Sequence, residues 1–275
     1  MKSFKSIALK TLGVCLMFPL IGQASGTLKN DYLSIKDSRG EKAVISSHGT
    51  GLNQVWIDQS VAPRGSAALT SSGDLAPTGI KYVIHAASGS MGQSGEGMEP
   101  SIEGVQLSIA NSIRIAQQEG IKRLAIPLIG GGIFLNSLGI SKERLAYTVI
   151  ETARAQKANL ELIFVAYSED DTAAMQTALD TMEQRQKEDM GWLTRLWNSL
   201  KSFFGAKTDF FEHAELVRGS ITDYNLHKAE AIVNAANMEL TFGGGLSGVI
   251  GRATNDSEHI DQVGQELIKA LYQAQ

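Results

Sequence analysis

Residues Ala231–Ala253 read AIVNAANMELTFGGGLSGVIGRA, an apolar run that passes through two asparagines into three consecutive glycines. The run has the unbroken hydrophobicity of a strand buried on both faces. The glycines leave backbone N–H groups open to close approach by an anion. Only 22 residues follow Ala253, too few to complete a domain around such a strand and loop. The missing part lies upstream, where Ile80–Ala87 (IKYVIHAA) and Leu124–Phe134 (LAIPLIGGGIF) supply further buried strands and a second glycine triplet. Two halves of one site are written in reversed order.

The 275 residues, 43% hydrophobic and 20% charged, have the composition of an ordinary folded protein. Residues 1–24 differ. Lys2 and Lys5 precede an apolar run from Leu12 to Ile21, and Gly22-Gln23-Ala24 offers small residues at a cleavage spacing, which is the pattern of an export signal. The expected location is therefore periplasmic or secreted. Cleavage would remove three of the 25 basic residues and leave 22 against 29 acidic, a net charge of −7. A nonspecific nucleic-acid binder carries the opposite balance, so direct nucleic-acid binding is not expected. The single cysteine, Cys15, lies inside the signal; the mature chain then has no disulfide, thiolate metal site or cysteine nucleophile. His48, His213, His227 and His259 show no metal-ligand spacing, and neither a metal nor a cofactor is expected.

Strand-like Ala43–Ser47, Ala67–Thr70, Ile80–Ala87, Arg123–Ile129 and Leu160–Tyr167 alternate with helical patterns. Ile102–Glu119 places Ile102, Val105, Ile109, Ile113 and Ala116 on one face and stops at Gly120. Ser141–Ala155 starts at a serine cap and aligns Leu145, Val149 and Ala153. Short continuous apolar strands followed by helices predict a sheet covered on both faces, a three-layer α/β/α fold. Ser88–Gly97 (SGSMGQSGEG) is a Gly/Ser-rich loop at the carboxyl end of one strand, readable as a lid or as a plain solvated connection. Trp192, Leu193, Leu196, Trp197, Leu200, Phe203 and Phe204 form an apolar helical stripe. It reads as a linker helix docked on its own domain; a membrane-surface contact by Trp192–Phe204 is the alternative.

Two glycine clusters at strand ends suit a diphosphate lying between helix N-termini. On the Ala231–Ala253 tract, the opening-strand pattern Leu216–Thr222 (LVRGSIT), and Gly65–Leu75, Lys81–Ala87, Arg123–Phe134 and Leu160–Tyr167, the chain resembles a macro domain, the ADP-ribose-binding α/β/α module. The family's opening half comes last here. The expected fold is therefore a macro-domain-like mixed sheet that is circularly permuted: 25–183 as the second half, 184–208 as an amphipathic linker helix and 209–275 as the first half. A rival organisation takes Ala43–Ala62 as a worn copy of the same strand and loop.

The resemblance implies ADP-ribose or an ADP-ribosylated macromolecule as partner and leaves the oligomeric state open. It places Asn237, with Ala236 before it, at the distal ribose as the candidate catalytic residue. Gly243, Gly244, Gly245, Leu246, Ser247, Gly248 and Val249 would line one phosphate. Leu128, Gly130, Gly131, Gly132, Ile133 and Phe134 would line the other, with the Phe134 ring against the ribose. Tyr167 would stack on adenine beside Ser220 and Ile221. Asn234 is expected to tie the loop, and His85 to be a satisfied core histidine. Two departures stand out. Ser247 replaces the aspartate common in hydrolytic members, with Gly251 where a histidine often follows, and a neutral hydroxyl is a poor general base near pH 7. Ser220 replaces the aspartate that accepts from the adenine amino group. The functional readings are an ADP-ribose binder, a hydrolase of ADP-ribosyl or O-acetyl-ADP-ribose bonds using ordered water, or an interaction protein with a degenerate pocket.

Overall fold

A computed structural model describes residues 31–50, 59–90, 99–189 and 210–275. The expected signal segment, the Trp192–Phe204 stripe and residues 91–97 of the Gly/Ser loop lie outside the described residues. Among the described residues no helix is long and apolar enough to cross a membrane.

Eight described strands form one mixed sheet: β1 (Tyr32–Lys36), β2 (Lys42–Ser46), β3 (Ala67–Ser71), β4 (Tyr82–Ala87), β5 (Arg123–Pro127), β6 (Glu161–Ala166), β7 (Ala214–Arg218) and β8 (Ala231–Ala236). Their spatial order is β1-β2-β3-β4-β8-β5-β6-β7. The first four are antiparallel neighbours, and β4, β8, β5, β6 and β7 all run parallel. The last strand of the chain thus sits in the middle of the sheet. It pairs with β4 from Tyr82↔Ala231 to Ala87↔Ala236 and with β5 through Leu124↔Ala231 and Ala125↔Ile232. The tract that gives the rival reading, β2, instead runs antiparallel between β1 and β3.

Two-sided burial follows from the period-two alternation of side chains. Ala231, Val233, Leu124, Ile126, Leu162 and Phe164 face one apolar cluster, shared with α1 (Ile102–Gln118), α3 (Lys142–Ala155) and α4 (Glu169–Asp189). Ile232, Ala125, Ile163 and Val165 face the other side with Ile250 of α7 (Gly245–Thr254). Farther along that side, α8 (Ser257–Gln273) packs Val263, Leu267 and Leu271 against Ala43, Ile45 and Ala68. Short turns α2 (Leu135–Leu138), α5 (Phe210–His213) and α6 (Tyr224–His227) and a 3-10 turn at Gly73–Thr78 complete the described helices. The three-layer expectation holds.

The two helices read from periodicity form within a residue of their expected bounds. Ser141 Oγ accepts the Arg144 N–H at 3.3 Å, and Gly120 ends α1 with a φ of 70°. Helix α4 continues through residue 183 to Asp189. The strand read at Ala43–Ser47 forms as β2, whereas β1 and α8 are elements that periodicity did not reveal, and Asp37, just after β1, fastens these two together. Its Oδ1 accepts the N–H groups of Arg39 and Glu41, each at 2.8 Å, and its Oδ2 meets His259 Nε2 at 2.9 Å. Burial alone would raise this carboxyl, but the His259 contact and the two backbone donors hold it below its ordinary range. Asp37, Glu41 and His259 are the described group whose ligand atoms lie within 4.8 Å of one another, and these bonds already occupy both Asp37 oxygens.

Ile232 is fully buried at the centre of this sheet. Ile232→Ala is expected to cost about 2–5 kcal/mol and to lower the midpoint of a single cooperative urea transition. A separate transition for the C-terminal segment, with the rest unaffected, would contradict this arrangement.

Candidate functional site

Five parallel neighbours end on one edge of the sheet, at Ala87, Ala236, Pro127, Ala166 and Arg218. After β8 the chain turns to α7 on one face; after β5 it turns through α2 to α3 on the other. Adjacent strands whose continuations diverge leave a crevice at their carboxyl ends, the usual ligand position in open α/β sheets. Both glycine triplets lie in these two connections. Gly243–Val249 and Leu128–Phe134 thus leave two adjacent strands at the same sheet edge.

The first loop is stiffened by its own side chains. Three consecutive amides are already engaged: Thr241 N–H donates to Asn237 Oδ1 (3.0 Å), Phe242 N–H to Asp261 Oδ1 (2.8 Å) and Gly243 N–H to Ser247 Oγ (3.2 Å). Asn237 Nδ2 also donates to Thr241 Oγ1 at 3.1 Å, so this side chain closes its loop and keeps one N–H and one acceptor position in reserve. Gly243 is therefore a weaker anion donor than the resemblance implies. The open amides begin after it. Gly244 caps α7 in an extended conformation with no side-chain partner, and Gly245 has a φ of 59° that favours glycine. No atom lies within 4 Å of a Cβ built on Gly244 or Gly245. The first-turn N–H groups of α7 and its dipole face this opening. Leu246 and Val249 are half-buried. Gly248 is a packing glycine, since its Cβ would fall 2.6 Å from the Gly243 carbonyl oxygen.

Beneath the loop runs a buried hydrogen-bonded chain. Thr70 Oγ1 donates to the Ser71 carbonyl at 3.0 Å, so His85 Nε2 is the donor in its 3.0 Å contact with Thr70 Oγ1. His85 Nδ1 then accepts from Asn234 Nδ2 (3.3 Å), which also donates to Ser247 Oγ (3.2 Å). Asn234 Oδ1 is buried without a partner. Burial pushes His85 down to about 4 and keeps the ring neutral. Ser247 is itself buried and accepts from both Asn234 and Gly243. The expectations for Asn234 and His85 hold, and Ser247 holds the loop rather than facing the cleft. At Gly251, where a histidine often follows in the family, a Cβ would lie 2.8 Å from the Phe242 ring, which packs 5.2 Å from His85. Phe242 fills the space that a larger residue at 251 would need. Asp261, raised by burial despite the Phe242 N–H it accepts, is the loop-holding carboxylate that no local motif announced.

In the second loop, Gly130 has a φ of 85°, and Gly131 N–H folds back to the Leu128 carbonyl at 2.9 Å. Gly132 and Ile133, which follow this turn, are exposed. Leu128 lies under Gly131, and Phe134 is buried at 9% exposure, whereas Ile133 is 70% exposed. The exposed apolar side chain here is Ile133, and the Phe134 ring belongs to the core. At the neighbouring strand ends, Gly219 N–H donates to the Ala166 carbonyl (2.9 Å), which sets Tyr167 beside Gly219 and Ser220. Tyr167 is 76% exposed, not interior. Ile221 and Ala236 are buried. The Ile221 side chain is core, and its carbonyl meets His227 Nε2 at 2.9 Å.

Residues 51–144 match the family model of the Macro domain. This match supports the macro-domain resemblance over that segment. Macro domains in general bind ADP-ribose or ADP-ribosylated targets. The matched segment covers β3, β4, α1 and β5 with the second glycine loop, and the Ala231–Ala253 tract lies downstream of it. The chain is 29% identical over 124 residues to an uncharacterised protein of Pyrococcus furiosus, a match covering 44% of this chain and 62% of that protein. It is 32% identical over 108 residues to an uncharacterised protein of Pyrobaculum aerophilum, covering 39% and 54%. A third uncharacterised relative, from Pyrococcus abyssi, is 28% identical over 129 residues, covering 47% and 65%. The chain thus spans less than two thirds of the length of these curated relatives.

The buried His85 makes a pH test. An unfolded chain takes up a proton at His85 near pH 6.5, but the folded chain does so only near 4. Stability therefore falls as pH drops from about 6.5 to 4, by something on the order of 3 kcal/mol from this group. Urea denaturation across that range should show the loss in wild type and a flatter profile in His85→Gln. Identical slopes would mean that His85 is not held neutral.

Proposed function

We propose that this chain binds ADP-ribose, or the ADP-ribosyl group of a modified macromolecule, along the carboxyl edge of β8, β5, β6 and β7. The observation that carries this reading is the pair of glycine loops on adjacent parallel strands that diverge to opposite faces, one of them ending in the uncapped N-terminus of α7. Such a crevice offers two sets of outward amides to a diphosphate. Exposed Tyr167 lies two strands from β8, about 10 Å away at the usual strand spacing. A ligand touching both must be elongated, with an anionic middle and a flat end, and ADP-ribose has this shape.

Binding is favoured over hydrolysis. Ser247 is buried and spent on the loop, so it does not stand free to activate water, and half of the Asn237 hydrogen-bonding capacity is committed to closing its own loop. Circular permutation belongs to the same proposal: 25–183 and 209–275 form one sheet, joined through 184–208. Its support is that β8 lies between β4 and β5 although it comes last in the chain, while the family match falls upstream. Export by residues 1–24 completes the reading. N-terminal sequencing of protein recovered outside the cytoplasm is expected to begin at Ser25; an intact Met1 there would remove the cleavage.

Gly244→Asp separates binding from folding. Open space around Gly244 admits the side chain, and an aspartate suits an N-cap. The variant should melt at or above the wild-type temperature while its affinity for ADP-ribose, read by calorimetry, falls at least tenfold, because its carboxylate occupies and repels the phosphate seat. Unchanged affinity, or no wild-type heat with millimolar ADP-ribose, would overturn the reading.

A further inference from the structure

We infer that the base end of this cleft accepts purines carrying either a 6-amino or a 6-oxo group, so that its ligands are purine diphosphate-riboses of both kinds. The inference rests on the binding reading above and refines its ligand class. The determinant is a pair of hydroxyls. Ser220 Oγ and Thr222 Oγ1 lie 2.8 Å apart with either able to donate, and the Thr222 N–H donates to Ser220 Oγ at 3.3 Å. Both residues are half-buried, immediately after β7 and beside the 76% exposed Tyr167 ring at the end of β6.

The proton count of this pair balances in two ways. When Ser220 donates to Thr222 and accepts the Thr222 N–H, one Ser220 lone pair stays outward and meets an amino group. When Thr222 donates instead, Ser220 Oγ accepts twice and its own O–H points outward to meet a carbonyl. Rotation of two hydroxyls switches one state to the other without moving a heavy atom. A carboxylate at the same place would accept only and would reject the oxo base. In the 219–224 loop the acidic residue is Asp223, and its Oδ1 already accepts the Asn225 N–H at 3.0 Å as the cap of α6. Two residues beyond Tyr167, Glu169 is paired with Arg218 Nη1 at 2.9 Å. Stacking on Tyr167 adds grip without choosing the base, since any purine presents a π-face.

Calorimetric titration of the full chain with ADP-ribose and with its hypoxanthine counterpart tests this directly. Wild type is expected to bind the two within about threefold. Ser220→Asp, checked for an unchanged melting temperature, is expected to favour ADP-ribose by at least tenfold, and Ser220→Ala to weaken both ligands by the same factor. Wild type that binds ADP-ribose but takes the hypoxanthine ligand tenfold or more weaker overturns the inference and leaves the binding reading standing. An unaltered ratio in Ser220→Asp removes the hydroxyl pair as its cause. Wild type that binds neither ligand overturns both.

Discussion

Parallel pairing of β8 with β4 and β5 is the constraint on which the molecule depends. The strand arrives last in the chain, yet it is bonded on both sides and buried on both faces. Without it β4 and β5 have no neighbour between them, and the clusters around Val233 and Ile232 each lose their centre. Pairing also sets the proposed site, because the loop after β8 leaves the sheet beside the loop after β5 only when the two strands lie side by side. Fold stability and the assembly of the cleft are therefore one event.

Within the cleft, the chain spends side chains to fix backbone. Asn237, Asp261 and Ser247 take the amides of residues 241, 242 and 243 in turn, which aims the next amides outward from a rigid support. Preorganised donors of this kind bind an anion without an ordering cost at the moment of contact. Ser247 shows why its position carries a neutral group here. It lies buried against Asn234, which in turn leans on a neutral His85, and a carboxylate placed there would have to be desolvated. The hydroxyl fits that environment at the expense of general-base capacity. Phe242 against Gly251 and His85 is the packing counterpart of the same choice.

Much of this was legible in the residues themselves. Unbroken apolar runs marked β4, β5, β6 and β8 because their strands are covered on both sides, and Ser141 and Gly120 marked helix ends through local bonding. The two glycine triplets marked the candidate site because bare backbone at a strand end has few other uses when it occurs twice. Other features are set by distant partners and leave little local trace. The short edge strand β1 draws its support from β2 and from the Asp37–His259 contact across the sheet. Asp261 reaches the glycine loop from a helix 19 residues on. The resemblance set Phe134 in the cleft, but the turn closed by Gly131 N–H swings Ile133 outward instead. Ile221 had the same fate, its side chain drawn into the core under α7. Neighbours in sequence name a loop; only its closing bonds decide which side chains face out.

The central claim is that two loops, far apart in sequence, grip one diphosphate. The most direct measurement is an amide NMR titration of isotope-labelled protein with ADP-ribose. The account predicts that Gly245 and Leu246 from one loop and Gly132 and Ile133 from the other shift together along a single binding curve, with Gly243 responding least of the glycines. Shifts confined to one loop, or two loops titrating with different affinities, would contradict it.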